Sequence, residues 1–411
     1  MMNEKRNKTY PWLVVLCCCG LATASLAITV NAGGIFFTPV AKALNVGIGQ
    51  VSLFLTIMNL TSGFVGPLTV KLFKRFDLRL VIGAGAALAA LCYVGLSRIT
   101  AIWQMYVLAL ILGLANTCFG IVVVSLIVGN WFYKHSGLAM GIAMSFSGVM
   151  GAVLSPVFNA LIENFGWRTT YVWTAAIVVV ATLPTVLFAR LHPKDMGLIQ
   201  YGADEKAEAK QETAAKADTP QSKGLGMLIC LCVIALLCAF VTGMGSHMAG
   251  YASSIGLTSS TGALMLSMTM IGNSSSKMIM GTLCDMIGPR RACTLMLSVS
   301  ALGFVLLSFL HGTGTWVMML AALLVGAVYS YTGVGLSIMT RDILGNEDFA
   351  TSYSYVTTMS FLGSAVAYTI IGFSYDTFGS YVPATIGCLT LVVISMLGIT
   401  ITYRMKKAQQ Q

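Results

Sequence analysis

"IGNSSSKMIMGTLCDMIGPRR", Ile271 to Arg291, decides how this chain is read. Most of the stretch is small or apolar and suits hydrocarbon, yet it carries Lys277, with no acidic residue nearer than Asp285. The apolar run then stops at Gly288, Pro289, Arg290 and Arg291. At about 1.5 Å per helical residue, Lys277 lies about 12 Å inside the helix measured from Asp285. That is close to mid-depth for a span of about 20 residues. An ammonium there costs about 2.5–3.5 kcal/mol on insertion scales, so it calls for a wet cavity or an anionic partner.

The rest of the chain has the same character. Of its 411 residues 57% are hydrophobic and 9% charged, against about 25% charged in soluble domains. Apolar runs fall at 11–37, 48–70, 79–97, 102–129, 137–160, 169–189, 225–249, 258–284, 292–310, 315–339, 351–373 and 381–403. Backbone polar groups in hydrocarbon need internal partners, so each run is expected to be a helix. The first run is too long for a signal-peptide core and lacks a clean cleavage site, so it reads as a retained span. Gly33-Gly34, Pro67, Pro156 and Pro184 are expected to mark bends. The fold class is therefore an all-α membrane protein of twelve spans. Residues 191–223 are polar and without an apolar face, and their middle is expected to be a mobile, partly helical linker. They divide a six-helix bundle over 1–190 from a second over 224–411.

Charge distribution sets the orientation. With the N-terminus in the cytoplasm, only Lys42, Arg98 and Arg168 fall outside and Lys277 falls within a span; the other 20 of the 24 Lys and Arg are cytoplasmic. That bias follows the positive-inside rule. Both termini are thus expected in the cytoplasm, in a multi-pass protein of the cell (inner) membrane. The net charge of +10 is accounted for by anionic lipid, and nucleic acid is not needed as a partner. The 11 cysteines lie mostly in apolar runs without metal-site spacing. No cofactor or metal is expected, and no cluster of His, Asp, Cys or Glu at one depth suggests an enzyme.

The chain also repeats. "GPLTVKLFKR" (66–75) closes the second run and "GTLCDMIGPRR" (281–291) the eighth, their first glycines 215 residues apart. Internal repeats of about half a chain are typical of secondary transporters, with the substrate site between the halves near the midplane.

Two six-helix halves and Gly281, Leu283, Asp285, Gly288, Arg290 and Arg291 resemble the major facilitator superfamily and its gating loop motif. The earlier copy has Val70 where the motif has Asp. Three further stretches, "GNWFYKHSGLAMGIAMSFSGVMGAVLSP" (129–156), "NFGWRTTYVW" (164–173) and "HPKDMGLIQYG" (192–202), resemble the bacterial oxalate/formate antiporter and monocarboxylate transporter branch.

The branch resemblance bears on Lys277. Members often carry an Arg there that binds the substrate carboxylate; Lys is a point donor without the bidentate fork. All 14 acidic residues lie in loops or at helix ends, so a substrate carboxylate is the simplest partner for Lys277. The plainer alternative is a structural lysine bonded to carbonyls or water. Asn273 and Ser274 share its helical face. In animal-type monocarboxylate carriers the position of Asn273 is often a proton-accepting Asp, and Asn cannot take that role. Anion exchange or facilitated diffusion then fits as well as proton symport, so protons or a counter-anion remain open as partners.

The resemblance implies a cavity lined by helices 1, 4, 7 and 10. The polar candidates there are Asn31, Asn116, Thr117, His247, Tyr329 and Tyr331. Tyr329 and Tyr331 are two apart and point to different faces, so at most one is expected to face Lys277. His247, near the outer end of its helix, reads either as a proton carrier or as a wetted surface histidine. Thr357 and Thr358 are further candidates. Gly137, Gly141 and Ser145 read as a packing seam.

These readings converge on a carrier of small organic anions, acting as a monomer. The resemblance implies that oxalate exchangers carry a second basic residue in the eleventh run; this chain has none there, so monocarboxylates are favoured. The alternatives are an efflux carrier for amphipathic compounds and a carrier of another organic anion.

Overall fold

A computed structural model describes residues 2–132, 135–202, 224–310, 314–345 and 349–409. Its regular segments are helical, and the one β-bridge among the described residues joins Phe132 to Tyr201. Ten stretches are long and apolar enough to cross a membrane. One of them, Leu138–Phe188, holds two spans that meet at Gly166, with φ 78° and ψ 159°. Ser259–Ile287 escapes the hydropathy criterion because its centre is polar, and it is the remaining span.

The spans are α1 (Thr9–Leu44), α2 (Ile48–Arg75), α3 (Leu78–Leu96), α4 (Ile102–Trp131), α5 (136–165) and α6 (167–188). The second six are α7 (Leu225–Ser254), α8 (Ser259–Ile287), α9 (Pro289–Phe309), α10 (Thr315–Leu344), α11 (Phe349–Phe378) and α12 (Val382–Gln409). An even number of spans leaves both termini on one side. The expected outer loop between α5 and α6 is absent: helix runs on both sides of Gly166 alone.

Four helices depart from α geometry. α1 passes through a π segment, Thr23–Asn31, and a 3-10 turn, Gly33–Phe36. α7 tightens to 3-10 at Gly243–His247, and α10 widens to π at Tyr331–Gly335. α4 is interrupted between Thr117 and Ile121. Such irregular turns are tolerated at membrane depth where they are covered by protein or line a cavity.

The start of the expected linker is docked. Tyr201 N donates to Trp131 O at 2.9 Å and Gln200 Nε2 to Gly129 O at 3.2 Å, holding 191–202 against the end of α4. The middle of the linker, 203–223, lies outside the described residues.

The halves meet along three helix pairs, all toward the side away from the termini. Between α1 and α7, Ser246 Oγ donates to Val30 O at 3.2 Å, and a Cβ on Gly34 would strike the Ser246 backbone. Between α2 and α11, Thr56 bonds Ala365 O and Thr369 Oγ1, and a Cβ on Gly372 would stand 2.5 Å from Ser52 Oγ. Between α5 and α8, Ser259 Oγ donates to Asn159 Oδ1 at 2.5 Å, Ser267 Oγ to Ala152 O at 2.7 Å and Ser274 Oγ to Ser145 O at 3.0 Å.

Toward the termini the halves part. Seven residues, two helical turns, keep the same face. Gly148 abuts Ser274, but Gly141 on that face of α5 and Gly281 on that face of α8 have no described atom within 4 Å of an added Cβ. Gly63, seven residues beyond Thr56 on α2, is open in the same way. The small-residue seam is therefore made by Gly148 and Gly151. Gly141, expected to be part of it, faces open space. Among the described residues, a cleft opens on the termini side and the far side is sealed.

α8 and α10 touch backbone to backbone. A Cβ on Gly272 would collide with Leu323 O, and one on Gly326 would lie 2.7 Å from Asn273 N and from Gly272 Cα. Overpacking such a contact costs about 1–3 kcal/mol. Gly272→Val should lower the thermal unfolding temperature in detergent by several degrees. Gly83→Ala, whose Cβ would find only Val186 at 4.0 Å, should leave it unchanged or raise it slightly.

Candidate functional site

The polar centre of α8 is placed in hydrocarbon by giving its hydroxyls to carbonyls. Ser275 Oγ donates to Ile271 O at 2.8 Å, and Ser276 Oγ to Asn273 O at 3.1 Å and Gly326 O at 3.3 Å. Ser274 reaches across to α5. Such back-bonding removes the donors that would otherwise compete for a ligand.

Lys277 follows one turn after the last α5–α8 contact, at the point where the halves part, and is partly exposed. Its stem lies along α10. A Cβ at Gly333 would stand 2.8, 3.3 and 3.4 Å from Cε, Cδ and Cγ of Lys277. Its Nζ sits 5.9 Å from the centroid of the Tyr329 ring, within cation–π range. Among the described residues no carboxylate and no carbonyl pairs with it; the one ion pair recorded there, Lys406–Asp342 at 3.1 Å, joins α12 to α10. A structural lysine would thus have to be met by water, since no protein carbonyl among the described residues pairs with it.

Tyr329 and Gly333 are four apart and share a face of α10. The Tyr329 hydroxyl donates to Thr242 O at 2.7 Å, where α7 begins its 3-10 turn. One side chain thus touches the ammonium and the helix that forms the far-side seal. Tyr331 turns the other way and is fully buried, with its hydroxyl unpartnered. Of the two tyrosines it is the one that packs, while Tyr329 meets Lys277. Gly333 was not among the expected residues; its only sequence signal is its spacing from Tyr329.

Asn273 is buried one turn before Lys277. Its Nδ2 lies 3.7 Å from Met270 Sδ and its Oδ1 has no partner. Asn31 Nδ2 donates to Ser147 O at 3.0 Å, fastening α1 to α5, next to Gly151 and Met270. Asn116 precedes the break in α4 with a buried, unpartnered Oδ1, and it makes no recorded contact with Lys277. Thr357 Oγ1 on α11 is also buried and unpartnered.

His247 departs most from expectation. It is fully buried, so the surface reading fails. Nε2 lies 2.9 Å from Tyr368 O and Nδ1 3.4 Å from Tyr381 Oη. Its ring packs on Phe37 of the other half at 5.1 Å, which places it in the far-side seal.

The loop motif lies on the termini side. Gly288 adopts φ 83°, turning α8 into α9, and Arg290 packs 6.0 Å from the Tyr403 ring. Asp285 and Arg291 are exposed, and Asp285 has no recorded ion pair. The side chains of 66–71 and 74, within the earlier copy, lie outside the described residues.

The two tyrosines give a test of this placement. Tyr329→Phe removes a buried bond and should cost about 1 kcal/mol of stability. Tyr331→Phe removes an unpaired hydroxyl and should be neutral or stabilising. Thermal unfolding of the two variants in one detergent makes the comparison.

Known proteins share this architecture. The chain matches a family model, Major Facilitator Superfamily, over residues 16–368 and 228–410. It is 21% identical over 406 residues to monocarboxylate transporter 1 of Mus musculus, covering 92% of this chain and 82% of that protein. With the human monocarboxylate transporter 1 the match is 25% over 183 residues, 44% of this chain and 36% of that protein. Of solved structures, a mutant form of the nucleoside transporter NupG aligns with a TM-score of 0.74 at 12% identity, covering 95% of this chain and 98% of that one. A bacterial homologue of the human lysosomal transporter Spinster, inward-facing and unoccupied, aligns with a TM-score of 0.69 at 15% identity, covering 98% of each chain. Identities this low carry the fold, and the family model covers most of the chain: this protein belongs to the Major Facilitator Superfamily of membrane transporters.

Proposed function

We propose that this transporter carries small organic anions, monocarboxylates above all, by alternating access, with Lys277 binding the carboxylate. The observation that carries the reading is Lys277 itself. It is an ammonium at mid-depth, partly exposed where the cleft closes, with no acceptor among the described residues. A carboxylate entering from the cleft supplies the missing partner and offsets the insertion cost. The similarity to monocarboxylate transporters supports the same substrate class.

One cation neutralises one carboxylate. A second negative charge would enter a low-dielectric cleft unpaired, at a cost of several kcal/mol. Monoanions such as lactate, pyruvate or formate are thus preferred to oxalate or succinate. Asn273 cannot hold a proton, so coupling does not run through a carboxylate beside Lys277. The basic termini side faces the cytoplasm of a cell membrane, the cleft is then open inward, and the chain acts as a monomeric transporter, not an enzyme.

Counterflow in proteoliposomes against a panel of mono- and dicarboxylates tests the reading. Monocarboxylates should exchange and compete best; better competition by oxalate or succinate than by every monocarboxylate would refute the one-cation argument. Lys277→Gln should fold, being relieved of a charge at membrane depth, and lose more than about tenfold in uptake, while Lys277→Arg keeps part of it. Gly333→Ala should lower uptake severalfold by pushing the Lys277 stem off α10. Normal uptake by Lys277→Gln would remove the anion site from the account.

A further inference from the structure

We infer that Asp376 is a latch that holds the far side shut by capping a helix of the opposite half. Helix N-termini leave unsatisfied N–H groups that a side chain at the N-cap position usually accepts. In α2 that position is Gly47, which has no side chain to offer. The cap comes from α11 instead: Asp376 Oδ1 accepts from Ile48 N at 2.8 Å, and Oδ2 accepts from Gly49 N at 2.7 Å. Gln50 Oε1 takes the Gly47 N–H at 3.3 Å. A carboxylate of one half is thus aligned with the positive end of a helix of the other, a favourable arrangement.

The glycines make room for it. A Cβ on Gly47 would displace the Asp376 carboxylate, standing 2.9 Å from Cγ, and one on Gly49 would enter the Phe373 ring at 2.6 Å. Gly47 has φ −69°, so backbone conformation does not require glycine there; the carboxylate does. The pseudo-symmetric pair, α5 against the start of α8, uses a neutral contact, Ser259 to Asn159. The charged cap is therefore particular to the α2–α11 side of the seal. Two groups that part when the far side opens are bonded only when it is closed, so the cap biases the equilibrium toward the state with the cleft open on the termini side. Asp376 sits at the rim and is exposed to solvent, which limits the bias to about fivefold.

The latch rests on alternating access but not on what is carried, so its test uses no substrate. Ser52 is fully buried between α2 and Gly372 of α11, within the seal. A Ser52→Cys variant in proteoliposomes is labelled with a membrane-impermeant maleimide, and the unsubstituted protein serves as the blank. Adding Asp376→Asn should raise the labelling rate roughly fivefold. Gly47→Ala should do the same without touching the acid, because its methyl group occupies the carboxylate's place. The two together should label no faster than either alone, since both remove one contact. Thermal unfolding within a few degrees of the parent excludes misfolding as the cause. An unchanged rate in either folded variant, or additive effects in the pair, overturns the latch.

Discussion

An ammonium at mid-membrane, with no acid among the described residues to meet it, is the constraint around which this molecule is arranged. Its insertion cost is tolerable only where water or an anion reaches it. The fold provides that by parting the two halves at the residue where the cost arises. α5 and α8 are bonded as far as Ser145 and Ser274, and Lys277 stands one turn further on. The stem is carried on α10 at Gly333 and the charge rests over Tyr329. Both placements depend on the backbone contact of Gly272 with α10, which brings the two helices closer than side chains would permit.

Closure and opening reuse the same surfaces. Small residues and hydroxyls make the far-side seal, where Ser246, Thr56 and Ser267 each donate to a carbonyl of the opposite half. Without strong apolar driving force between helices in lipid, close packing and such bonds supply the association. The matching glycines on the open side, Gly63, Gly141 and Gly281, meet no described neighbour. α1 and α7 meet where both leave α geometry, and Tyr329 bonds α7 at the onset of its irregular turn. The site and the seal therefore share one side chain.

The span pattern was legible from hydropathy because hydrocarbon forbids unsatisfied backbone over twenty residues. Lys277 was legible as an isolated charge in such a run. Position along the chain could not say which way a short residue faces or which helix it meets. Gly141 and Gly148 have the same side chain on one face of α5, and only tertiary divergence makes one a contact and the other a void. His247 looked accessible because it lies near a helix end, but Phe37 from the other half covers it. Asp376 reads as an ordinary helix-end acid until α2, distant in sequence, is brought beneath it. The runs at 137–160 and 169–189 read as two spans joined by a loop, and hydropathy could not show that Gly166 alone makes the turn between them.

The central claim, that a carboxylate occupies Lys277, is tested most directly at the amine. A water-soluble, amine-reactive acylating reagent is applied to the purified protein, and modification of the Lys277 peptide is followed by mass spectrometry at increasing pyruvate concentration. The account predicts that Lys277 is modified in the unliganded protein, through the open cleft, and is protected progressively by pyruvate but not by an uncharged analogue such as its amide. Modification that proceeds at the same rate whatever the pyruvate concentration, in protein shown to exchange pyruvate in counterflow, would contradict it.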